Sequence, residues 1–240
     1  MIFMGYVIFL EGQGIESKSL GGAILAVMLF TFITCVWKII TGAKKQETVF
    51  LTAIVVLLTD QALKIWVKTH MVLGQEFQIF DWFIIHFTEN NGMAFGMEFG
   101  GLVGKILLTL FRIVVVILGI FYVKKIIRPA FPNRALIAIG LIIGGAIGNI
   151  IDSSFYGLIF NESYNNVASF LPNSGGYAPL LQGKVVDMFY FPLINDHFPN
   201  WMPIWGGGHF IFFRPVFNIA DAGISVGVFL ILIFYRKAFN

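Results

Sequence analysis

The stretch "FRPVFNIADAGISVGVFLILIFY", residues 213–235, is nearly unbroken hydrocarbon with one aspartate, Asp221, set inside it. Its length approaches the roughly 20 apolar residues that carry a helix across a bilayer. Ionisable groups in such segments are rare and usually functional. The reading of the chain turns on whether the remainder is built the same way, and on whether Asp221 has a partner.

Of the 240 residues, 58% are hydrophobic and 12% are charged, about half the roughly 25% charge of soluble domains. Four further apolar runs lie at about 20–40, 50–67, 102–123 and 135–152. The expected fold is an all-α integral membrane protein: a core bundle of transmembrane helices with an extra N-terminal run at 20–40. The net charge of +3 comes from basic residues in small groups beside apolar segments, which is no nucleic-acid footprint. The single cysteine, Cys35, excludes an internal disulfide and reads as a packing residue.

Loop charges orient the spans. Lys44 and Lys45 stand beside Glu47 in 41–49, and Lys124, Lys125, Arg128 and Arg134 occupy 124–134 without an acid. The tail carries Arg236 and Lys237. Segment 68–100 has one lysine against four acids, and 153–214 has two bases against three acids. The alternation puts 41–49, 124–134 and the C-terminus in the cytoplasm, with 68–100 and 153–214 exported. Segment 71–99 contains β-type runs ("EFQIFDWFIIHF") ended by the turn signal "ENNG". Segment 160–182 is rich in Asn, Ser, Gly and Pro and reads as an irregular excursion. Segment 188–213, with Trp201, Trp205 and many Phe, suits the headgroup level, where amphipathic rings settle.

The polar residues of the spans cluster toward the exported ends. Asp60 and Lys64, four apart, share a helix face, as do Asn149 with Asp152 and Asn218 with Asp221, each three apart. Asp187 ("GKVVDMFYF") and Asn90 ("ENNGMAFG") lie on the same side. Plainer readings exist for each: Asn149 and Asp152 as helix-packing groups beside Gly144, Gly145 and Gly148, Asp60 and Lys64 as a structural pair, Asp187 as a solvated loop acid. His70, His86, His197 and His209 show no metal spacing, and no H-E-x-x-H motif is present. Two carboxylates at close range share a proton, so that one removes a proton from water while the other donates toward a carbonyl or leaving amine. That chemistry hydrolyses a peptide bond with neither cofactor nor metal. The alternative is a non-enzymatic proton-coupled carrier or scaffold using Asp60, Asp152 and Asp221 as a relay.

The set "TDQALK" (59–64), "NNGMAFG" (90–96), "GGAIGNIID" (144–152), "GKVVDM" (183–188) and "FNIADAGISVG" (217–227) closely resembles the lipoprotein signal peptidase (signal peptidase II) family over about residues 50–237. The resemblance implies four core transmembrane helices with a small exported β-structure, and a membrane aspartic endopeptidase of the bacterial cytoplasmic (inner) membrane acting at its exported (periplasmic) face. Its substrate would be a diacylglyceryl-modified prolipoprotein, cut before the lipidated cysteine, and the enzyme, surrounded by membrane lipids, a monomer that binds no nucleic acid. It makes Asp187 and Asp221 the catalytic pair, and Asp60, Lys64, Asn90, Gly92, Asn149, Asp152 and Asn218 the residues that shape the site or bind substrate. Three departures stand out. Ser153 occupies the position where the family usually has Arg, a role that would pass to Lys184 or Arg214. An exported insertion, 158–182, becomes a candidate lid or rim. Residues 1–49 form an N-terminal extension outside the four-span pattern.

Overall fold

The computed structural model describes residues 15–92, 100–127, 131–204, 206–212 and 214–235. Residues 1–14 of the N-terminal extension, 93–99 of the expected β-type segment and the basic tail from Arg236 lie outside the described residues. Among the described residues five helices carry the fold: α1 (Ile15–Gly42), α2 (Lys45–His70), α3 (Gly101–Ile126), α4 (Asn133–Ile151) and α5 (Ile219–Leu230). A π-type turn, Asp152–Tyr156, extends α4 into Gly157–Ile159, and a second, Ile231–Tyr235, extends α5. Among the described residues three helical segments are long and apolar enough to cross a membrane: Lys45–His70, Gly101–Ile126 and Asn133–Ile159. Ile219–Tyr235 is a shorter apolar helix.

The expected run 215–235 thus becomes helical only at Ile219. Asn218 is extended (φ −121°, ψ −179°) and its side chain accepts the Asp221 N–H, an N-cap that starts the helix there. Residues Val216–Phe217 belong instead to a strand, β6. It closes a four-stranded antiparallel sheet with β1 (Glu76–Phe80), β2 (Phe83–Asn90) and β3 (Val185–Tyr190), in the order β1-β2-β3-β6. The β-structure therefore reaches beyond 71–99, and Asp187 stands in a strand, opposite Thr88 of β2. A separate hairpin, β4 (Ile194–His197) with β5 (His209–Phe212), carries the exposed Trp201 and Ile204 in its connection.

Helix α4 is central because its glycines let α2 and α5 approach closely. A Cβ at Gly144 would lie 2.6 Å from the Ala53 carbonyl oxygen of α2, and one at Gly140 would lie 2.6 Å from the Thr52 side chain. From the other side, the Gly227 backbone of α5 sits against the Ala138 carbonyl. Helix α3 is the reverse: Leu102, Val103, Leu107, Phe111, Leu118 and Phe121 point outward, while Lys105 and Thr109 are its buried residues. Hydrocarbon outside and polar groups inside is the arrangement expected of a helix wetted by lipid. On α1, Cys35 is buried as a packing residue, and Lys38 pairs with Glu47 of α2 at 3.4 Å.

At the C-terminal end of α2, Val67, Met71, Phe87, Tyr156, Phe160, Val186 and Met188 form one core that joins α2, the sheet and the extension of α4. The excursion 160–182 packs into this core through Phe160 and Ala168 and runs back over the end of α4. There the N–H groups of Ala178, Leu181 and Gly183 donate to the carbonyls of Gly157, Ser154 and Ser153. A helix end leaves such carbonyls without internal partners, and the excursion supplies them. It is built as a buttress.

Candidate active site

The site assembles around Asn218, at the junction of β6 and α5. Its Oδ1 accepts the Asp221 N–H at 2.9 Å, and the Asp221 carboxylate accepts the Asn218 N–H at 3.4 Å, the reciprocal pattern of a capping box. The side-chain amide of Asn218 donates to Asp187 Oδ1 at 2.7 Å. Both aspartates therefore bond to one residue, although they come from different elements and stand 34 positions apart. The other oxygen of Asp187 accepts from the Asn90 amide. Asn90 is fixed in turn because its Oδ1 accepts the Gly92 N–H, and Gly92 has φ +87°, a backbone region that glycine enters without strain. On the α4 side, Asn149 donates to Asp221 Oδ1 at 2.8 Å.

Behind this layer lies a fully buried ionic cluster. Lys64 bridges Asp60 at 2.8 Å and Asp152 at 2.7 Å, and donates to Asn149 Oδ1 at 2.9 Å. Asp60 also accepts the Ala220 N–H at 2.9 Å, so that a carboxylate of α2 caps the first turn of α5, where negative charge meets free N–H groups. Asp152 accepts the Val186 N–H at 3.4 Å, one residue before Asp187. Buried charges need such complete pairing. The cluster fixes the backbones that carry both aspartates.

Asp187 is 4% exposed. Burial raises its pKa to about 8, helped by the negative charge of Asp221 and opposed by Lys64 and by the amides of Asn90 and Asn218. Asp187 therefore keeps its proton at neutral pH.

All nine residues singled out in the sequence meet in one connected network: Asp187 and Asp221 on Asn218, with Asn90, Gly92 and Asn149 around them and Asp60, Lys64 and Asp152 behind. Three others went unnoticed. Gln61 donates to Asp152 at 2.8 Å and accepts from the Tyr156 hydroxyl at 3.1 Å. Lys105 and Arg112 of α3 reach the Asn90–Gly92 turn. The only hint was their polarity within apolar runs. Lys184, a candidate stand-in for the missing arginine, instead pairs with Glu89 at 3.5 Å and Glu162 at 3.4 Å. Among the described residues no three His, Cys, Asp or Glu side chains are grouped as metal ligands.

Comparison with known proteins shows the family of the chain. The family model for signal peptidase (SPase) II matches residues 52–237. The lipoprotein signal peptidase of Porphyromonas gingivalis is 51% identical over 185 residues, covering 77% of this chain and 80% of the relative. That of Amoebophilus asiaticus is 38% identical over 200 residues, covering 81% and 80%. A solved bacterial membrane enzyme superposes with a TM-score of 0.51 at 26% identity, covering 79% of this chain and 88% of the other. With several apolar helices and these relatives, the protein is a multi-pass membrane protein, and the chain belongs to the signal peptidase II family of aspartic peptidases.

Proposed function

We propose that Asp187 and Asp221 are the catalytic dyad of this peptidase, which removes the signal peptide from prolipoproteins. The observation that carries the assignment is the meeting of both carboxylates on Asn218. With Asp187 raised to about 8, the shared proton resides chiefly on Asp187 at neutral pH. Asp221 then takes a proton from the attacking water while Asp187 donates toward the scissile carbonyl. As the tetrahedral intermediate collapses, a proton passes to the departing amine and the dyad returns to its singly protonated state.

The substrate is a prolipoprotein carrying diacylglycerol, cut before the lipidated cysteine. The catalytic unit is 50–237, with 1–49 an added segment, and α5 completes four core spans. The loop charges support a site at the exported face of the cytoplasmic (inner) membrane, open sideways to lipid, in a monomeric enzyme. The test is cleavage of a diacylglyceryl prolipoprotein by purified wild type, Asp187→Asn and Asp221→Asn. Both variants should lose cleavage while keeping the wild-type elution profile; full activity in either would remove the dyad.

A further inference from the structure

Helix α3 faces lipid with most of its surface, yet Lys105 and Arg112 interrupt it. Seven residues apart, with Thr109 between them, they form one stripe along the helix. The stripe points inward. The Lys105 ammonium donates to Asn91 Oδ1 at 2.9 Å and to the Gln182 carbonyl at 2.8 Å, and Arg112 donates from Nη2 to the Gly92 carbonyl. Asn90, Asn91 and Gly92 are thus bonded in succession to Asp187, Lys105 and Arg112.

An arginine inside an apolar helix is costly to hold and usually marks a functional site. Among the described residues no carboxylate lies within ion-pair distance of Arg112, so it is not there as half of a structural salt bridge with them. A Cβ placed on Gly92 would lie 2.8 Å from Arg112 Nη1 and 3.7 Å from Ser153 Oγ. The guanidinium and the Ser153 hydroxyl thus border the same face of the turn. Ser153 Oγ is buried, with no hydrogen-bond partner among the described residues.

We propose that Arg112 is a positioning residue for the dyad: it clamps the Gly92 turn that aims Asn90 at Asp187. This rests on the dyad reading above.

The test compares wild type with Arg112→Gln and Arg112→Lys in cleavage of a diacylglyceryl prolipoprotein, with kcat and KM measured across pH and the folded fraction determined for each. The other charged groups around the dyad are Asp60 and Lys64 of α2 and Asp152 of α4, with Asp187 itself on β3, and all stay unchanged. Arg112→Gln should lower kcat roughly 10- to 100-fold with little change in KM, as for a misplaced catalytic group. Arg112→Lys should still lose kcat, because an ammonium cannot reproduce the guanidinium fork. If Arg112→Gln does not fold, Arg112→Lys alone decides, and wild-type kcat in it would overturn the proposal. A wild-type kcat per folded Arg112→Gln molecule would overturn it too. Asp187→Asn and Asp221→Asn, run alongside, separate the two readings: cleavage by either removes the dyad, whereas inactive Asn variants beside a fully active Arg112→Gln remove only the role of Arg112.

Discussion

At the scale of single residues, Asp187 makes the enzyme sensitive to alkali. Its pKa in the folded protein, about 8, exceeds the ordinary 3.8. Between those values the folded chain holds more protons than the unfolded one. The resulting stabilisation is complete below about pH 4 and is lost as pH rises through about 8. Asp187→Asn should abolish that decline. Thermal unfolding of the variant should vary less between about pH 5 and pH 9 than that of wild type, with the variant the more stable at the alkaline end; an unchanged pH dependence would count against the raised pKa. In wild type, kcat should fall as pH passes about 8, when Asp187 gives up its proton. Asn218→Ala removes a helix cap and leaves Asp187 Oδ1 without its donor. It should cost about 2–4 kcal/mol in unfolding measurements, from a lost cap and an unsatisfied buried group, and stop cleavage.

At the scale of elements, α4 works by being thin. A Cβ at Gly148 would lie 2.6 Å from the Asp60 carboxylate that caps α5. Gly148→Ala should therefore destabilise by about 1–3 kcal/mol and reduce turnover through Asp60, in thermal melts and cleavage assays. Gly119→Ala on α3 meets open space and should stabilise by up to about 1 kcal/mol through helix propensity. Helices and small-residue contacts of this kind were legible in the sequence because they are written locally, in runs and spacings. Strand β6 was not. Its two residues, Val216 and Phe217, continue an apolar run, and only pairing with β3 and the Asn218 cap separates them from the helix. Lys105 was illegible for the same reason, since one of its acceptors is the carbonyl of Gln182, 77 positions away. The nine site residues were legible as a set through their motifs, but their division into a layer on Asn218 and a sealed ionic layer behind it came only from burial and distance.

At the scale of the whole molecule, the insertion 158–182 and the bundle are locked together. Lys68 of α2 bonds Glu89, the neighbour of Asn90, and donates to Ser163 Oγ of the insertion at 2.9 Å. The Lys68 carbonyl accepts the Ala168 N–H at 3.2 Å. Lys68→Met would leave Glu89 only its longer contacts with Lys184 and Ser163, at a cost of up to about 3–5 kcal/mol for a broken buried pair. Limited proteolysis should then cut within 160–183, where wild type resists. Asn218 carries a different kind of consequence. An inhibitor that spans both aspartates would rest against an amide that is at once helix cap and bridge between the two acids. Mutational escape from such a compound at Asp187, Asp221 or Asn218 would forfeit catalysis or folding, so resistance would have to arise farther out, in the rim of the site or in the amount of enzyme made.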